Sequence, residues 1–158
     1  MAAQTAKPAK TPLVHQDDEG KPTPRVTATV VHLLTWGRVI LGGLSYLTPA
    51  LVAKLFLIPG VTATSLSTYP LRLFGVRELV LSGLLWTERP PLDGAPMDRR
   101  ERRALRKMLV ANVVTDSLDA LATVGAFYMG VISPPSALLM GCGSGTFISV
   151  GLLGLATI

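Results

Sequence analysis

The chain has 158 residues, room for one domain but not for a second core. Hydrophobic residues make up 49% of it and mean hydropathy is +0.45, and the apolar residues come in long blocks, which argues against a soluble globule and for membrane spans. The formal net charge of +5 would raise nucleic acid as a partner in a soluble protein. Here the surplus cations lie outside the apolar blocks, so membrane topology explains them and no nucleic-acid partner is expected.

Residues 1–25 combine four prolines with mixed charges, a composition that cannot build a core and predicts a disordered tail. His15 lies in it with no expected role. The tail lacks an apolar h-region, so no signal peptide is expected. A first span is predicted at about 27–47, stopping at Pro49; its length suits ~30 Å of hydrocarbon. The connector that follows has Lys54 as its one charge and a Pro59-Gly60 turn. Its first part, 50–58, is expected to form a short interfacial helix. A second span is predicted at about 70–86, with Pro70 in the first turn and Trp86 in the interface belt. A polar connector then carries Pro90-Pro91 and a basic run from Arg99 to Lys107. Third and fourth spans are predicted at about 104–131 and 136–158, separated by Pro134-Pro135. The expected fold is all-α, a four-helix transmembrane bundle over residues 26–158.

Loop charge gives a topology independent of hydropathy. The tail holds four Lys or Arg and the middle connector seven, against one and none in the opposite connectors. Four spans place the two basic segments on one side, and the positive-inside rule makes that side cytosolic for both termini. Insertion without a signal peptide would start in the endoplasmic reticulum of a eukaryotic cell. Cys142 is the one cysteine; it excludes an intrachain disulfide and is expected to be a small buried side chain.

Six charges fall inside the apolar segments: Arg38, Arg72, Arg77, Glu78, Asp116 and Asp119. A charge in hydrocarbon costs at least ~2.5–3.5 kcal/mol, so each is a candidate functional residue. They lie on polar stripes with helical spacing: Asn112, Asp116, Asp119 and Thr123 in the third span; Thr35, Arg38, Gly42 and Ser45 in the first; Gly75, Glu78 and Ser82 in the second. Arg77 is offset from Glu78 by about 100° and is expected to reach a different neighbour. Arg72 sits near a span end, where it can snorkel. The expected network sets Arg38 and Arg77 against Asp116 and Asp119, with Glu78 a further acceptor for Arg38. Arginine suits this because its planar fork binds carboxylate and stays charged. The tally leaves one carboxylate in excess.

Two uses of that network stay open: holding helices in register, or lining a polar site. A binding or passage site for a small hydrophobic, anionic or lipid-like molecule would use Arg38, Arg77 and Asn112. A small membrane enzyme, such as an isomerase or cyclase of secondary metabolism, would use Glu78, Asp116 or Asp119 as acid or base. A structural or assembly subunit would need neither. Membrane lipid is an expected partner; no metal or cofactor is expected. Asp116-x-x-Asp119 has a spacing compatible with Mg²⁺, but it lies deep in a span. Gly141-Cys-Gly-Ser-Gly145 lacks the strand and lysine of a phosphate loop and is expected to be a small-residue packing face. His32 is expected at headgroup level. The basic run can attract anionic lipid, although topology alone accounts for it.

The string Trp36-Gly-Arg-Val-Ile-Leu-Gly-Gly-Leu-Ser45, then Pro49, then Tyr69-Pro-Leu-Arg-Leu-Phe-Gly-Val-Arg-Glu-Leu79 resembles small four-span membrane proteins of fungi and bacteria that carry a domain of unknown function. Those proteins pair an Arg-x-x-x-Gly first helix with a Phe-Gly-x-Arg-(Glu/Asp) second helix, and Asp116-x-x-Asp119 would match their third. More distantly, the chain is similar to DoxX-like bundles. The resemblance covers about residues 30–130 and implies four helices in a membrane, with Arg38, Gly42, Gly75, Arg77, Glu78, Asp116 and Asp119 at the matching positions. It implies no agreed reaction.

Overall fold

The computed structural model describes residues 24–61, 66, 68–93 and 95–158. The expected disordered tail lies outside them except for its last two residues. The described residues form five helices and no strand: α1 (Arg25–Leu47), α2 (Pro49–Leu55), α3 (Thr68–Thr87), α4 (Arg99–Tyr128) and α5 (Pro134–Thr157).

Local chemistry accounts for boundaries that hydropathy misplaces. α4 starts five residues earlier than expected because Asp98 and Glu101 form a capping box: the Asp98 side chain accepts from the helix backbone and Glu101 reaches back to the Asp98 N–H. The whole basic run from Arg99 to Lys107 is therefore helix. α4 ends at Tyr128, three residues early, in a Schellman motif. Val131 N–H donates to Ala126 O and Gly130 N–H to Phe127 O, with Gly130 at φ +70°. The same motif closes α2, with Ile58 N–H to Ala53 O and Leu57 N–H to Lys54 O. Here Leu57 takes the left-handed position at φ 54°, a conformation that costs an ordinary residue about 1–2 kcal/mol. Its carbonyl then accepts the Ser136 hydroxyl at 2.8 Å, tying α2 to the first turn of α5. Pro134 and Pro135 do not merely interrupt the chain: they open α5, where their missing N–H groups cost nothing.

The long helices alternate in direction. α1 packs along α3 on one side and α5 on the other, α4 packs along α5, and α3 meets α4 over a short stretch. At one end the Thr27 hydroxyl bonds Thr157, 3.0 Å to its carbonyl, closing the start of α1 on the end of α5. The basic start of α4 lies at that end, and α2 at the other. Buried Val31, Leu34, Leu85, Met97, Leu105 and Leu109 form an apolar core toward the basic end. Toward the other end, glycines let α1 and α3 touch: a Cβ on Gly75 would stand 2.7 Å from Gly42 O.

The outside is as apolar as the inside. Leu33, Ile40, Leu47, Val80, Leu118, Leu121, Leu138 and Leu152 are all at least half exposed, a pattern that suits lipid rather than water. Three helices are long and apolar enough to cross a membrane: α1, α4 and α5. α3, the expected second span, falls short on composition, because Arg72, Arg77 and Glu78 lie within its 20 residues.

Two expectations are corrected. Cys142 is exposed. Gly141 and Gly145 pack against nothing, since a Cβ on either would meet no atom within 4 Å. The close-packing glycines of α5 are Gly151, against Val113, and Gly154, against Val30 and Leu109.

Candidate functional site

The polar stripes converge. Thr35, Arg38, Gly42 and Ser45 are all buried on α1, as are Gly75, Glu78 and Ser82 on α3 and Asn112, Asp116 and Thr123 on α4. Arg38 Nη1 donates to Glu78 Oε2 at 2.5 Å, and Nη2 donates to Asp116 Oδ2 at 2.6 Å. One fully buried guanidinium thereby joins three helices. Arg77 Nη1 donates to Asp119 Oδ1 at 2.5 Å, and its Nη2 is shared between Asp119 Oδ2 and Glu78 Oε1, the latter at 2.9 Å. The five charges form an alternating row: Asp116, Arg38, Glu78, Arg77, Asp119.

The row is asymmetric in exposure. The side chains of Arg38, Glu78 and Asp116 are 0%, 2% and 4% exposed, while those of Arg77 and Asp119 are 34% and 28% exposed. The inner three lie among α1, α3 and α4, with the Phe147 ring of α5 placed 4.9 Å from Arg38 Cζ. The outer two occupy the seam between α3 and α4, where Phe74 lies 4.9 Å from Arg77 Cζ. Both aromatic faces can stabilise the cations they meet. Each anion is satisfied by a cation on another helix, which is what makes burial tolerable. With two arginines and three carboxyl groups, the formal charges of the row sum to minus one.

The remaining candidates fall beside the row. Asn112, one turn before Asp116, donates from Nδ2 to Met108 O at 2.8 Å and does not join the ion pairs. Among the described residues its Oδ1 is buried without a partner, as are Arg38 Nε and Arg77 Nε. Arg72 is exposed and takes no part in these pairs, consistent with its position near a helix end. Asp116 and Asp119 engage different arginines rather than converging as a pair. Phe147 and Phe74 escaped the sequence reading. Phe74 sits in the Phe-Gly-x-Arg string, but α5 has no polar stripe that would mark Phe147 as inward-facing.

Trp36 and Trp86 stack edge to face at 5.7 Å, and the Arg89 guanidinium covers Trp86 at 3.5 Å. This pins the end of α3 to α1. No family model, curated protein or solved structure matches the chain.

Proposed function

We propose that the chain is a four-span integral membrane protein that binds or passes a small or lipid-like molecule at the Arg77–Asp119 end of its charged row. The exposure of about a third of each of these side chains is the observation that carries this reading. Arg77 lies midway along α3, and a charged pair facing hydrocarbon at that depth is expensive. A polar head entering laterally between α3 and α4 would cover it, with Arg77 holding an anionic or hydroxyl group and the inner row staying shut.

α3 supplies the fourth span in this reading. Its Arg77 and Glu78 are ion-paired within the bundle, so formal charge overstates the polarity it shows to lipid. The close contact of Gly75 with α1 carries α3 across alongside a helix that is itself apolar enough to span. The basic end, with the start of α4, is then cytosolic, and the membrane is the endoplasmic reticulum in a eukaryote. The likeness to four-span proteins with a domain of unknown function belongs to the same proposal. A cysteine introduced at Lys54 should be labelled by an impermeant thiol reagent from the non-cytosolic side, and one at Arg103 from the cytosolic side, both in a Cys142→Ser background. Labelling of both from one side would overturn the four-span arrangement.

The function is tested by mass spectrometry of what copurifies with the protein. The wild type should carry a bound small molecule, and Arg77→Gln/Asp119→Asn should lose at least about 90% of it while keeping its helix content. Undiminished binding in the folded double variant would sink the reading. The inner row supports a second role. Arg38 has both Nη atoms taken by carboxylates on two other helices, the geometry of a register lock. An acid–base enzyme using Glu78, Asp116 or Asp119 is the alternative, and it is told apart by turnover of the copurifying molecule.

A further inference from the structure

A groove of about 510 Å³ lies along the first turns of α4, lined by Asp98, Arg99, Arg100, Arg103, Ala104, Lys107 and Met108. Its one lining carboxylate, Asp98, is occupied as the helix cap: it accepts from the Arg99 N–H at 2.6 Å. Arg100, Arg103 and Lys107 form no ion pair among the described residues, so these three cations of the groove are uncompensated.

The face does not end at the groove. At 100° per residue, Arg100, Arg103 and Lys107 continue into Val110, Val114, Leu118 and Leu121 along one stripe of α4. Those four apolar side chains are 45%, 52%, 59% and 67% exposed. The stripe lies on the opposite side of the helix from buried Leu109, Asn112 and Asp116. From Lys107 to Leu121 it runs about 21 Å at the helical rise, more than the roughly 15 Å of half a hydrocarbon core. Cations at one end and an apolar track of one leaflet's depth match the two parts of one molecule.

We propose that this face is a binding site for an anionic phospholipid, with the phosphate between Arg100, Arg103 and Lys107 and an acyl chain along Val110, Val114, Leu118 and Leu121. The site needs α4 to cross the bilayer, and it is independent of the Arg77–Asp119 site and of the orientation of the chain. Uncompensated cations favour a phosphodiester of net negative charge over a zwitterionic lipid, and the apolar track favours a lipid over a free phosphate.

The test uses the full chain in nanodiscs of phosphatidylcholine containing one-tenth phosphatidylglycerol, with the retained lipid measured by native mass spectrometry after release. Phosphatidylglycerol should be enriched on the protein above its share of the disc. Arg103→Gln/Lys107→Gln should lower the bound ratio of phosphatidylglycerol to phosphatidylcholine about 30-fold, near the effect of two interfacial cations. Arg25→Gln/Arg106→Gln removes the same charge from the same end outside the groove and should retain it, as should the folded conservative variant Arg103→Lys. Equal loss in both double variants would show a general charge effect and overturn the site. Displacement of the lipid by millimolar inorganic phosphate would overturn the choice of a lipid. Failure of the wild type to enter nanodiscs would overturn the membrane reading along with the site, whereas entry without enrichment would overturn the site alone.

Discussion

Replacing Arg38 with methionine is expected to cost about 3–5 kcal/mol, the usual penalty for breaking a buried ion pair from one side. The loss is large because two carboxylates depend on this guanidinium. Glu78 and Asp116 would both remain, 1% and 3% exposed, and of these two Arg77 reaches Glu78 but not Asp116. Asp116 would have no cation at all. Folded yield in mild detergent should fall steeply, and the midpoint of unfolding by a denaturing detergent should move with it. Removing all three members together reverses the expectation. Arg38→Met with Glu78→Gln and Asp116→Leu takes away the stranded charges as well as the bridge, and such replacements are often neutral or stabilising. Recovery of yield in the triple variant would show that the stranded charges, rather than the lost bridge, cause the loss. A triple variant as poor as Arg38→Met would show that the bridge itself holds the helices together.

That contrast is sharper than the one the sequence alone supports, and the difference shows what was legible. Helical spacing was enough to place Arg38, Glu78 and Asp116 on inward faces, because a charge in an apolar helix has to turn away from lipid. The same spacing put Arg77 about 100° off the Glu78 face, which accounts for its reach to Asp119 at the α3–α4 seam. Spacing does not say how far apart two helices stand. The seam that leaves Arg77 and Asp119 partly exposed is a property of packing between helices. α5 shows the limit from the other side. Its residues are nearly all apolar or small, so no periodicity marks its inner face. Phe147, Gly151 and Gly154 were invisible as contacts, while Gly141 and Gly145 had the spacing without the neighbour. The start of α4 was missed for a different reason. Hydropathy starts the helix at about Ala104, whereas Asp98-x-x-Glu101 writes a helix cap five residues earlier.

Gly75→Ala is expected to be nearly as damaging as the loss of Arg38, although it adds one methyl group. The new Cβ would stand 2.7 Å from Gly42 O and from Tyr46 N, and 3.1 Å from Ser45 C. These are backbone atoms of α1, so no side chain can swing aside, and relief requires the two helices to separate. Overpacking of this kind usually costs about 1–3 kcal/mol, with larger values where relief is blocked. The contact also sets the ion row. Glu78 lies one turn after Gly75 and Arg38 one turn before Gly42, so widening the gap pulls Glu78 from Arg38, where the two now stand 2.5 Å apart. Gly75→Ala should therefore behave as a packing lesion and an ion-pair lesion together. Gly83→Ala on the same helix is the matched control, because a Cβ there meets no atom within 4 Å. It should be neutral or slightly stabilising, since alanine is the better helix former. Combining Gly75→Ala with the charge-free triple variant separates the two components. If the ion row is what suffers, the alanine should cost clearly less in that background than in the wild type. An equal cost in both backgrounds would mean that the glycine contact and the ion row stabilise the bundle independently.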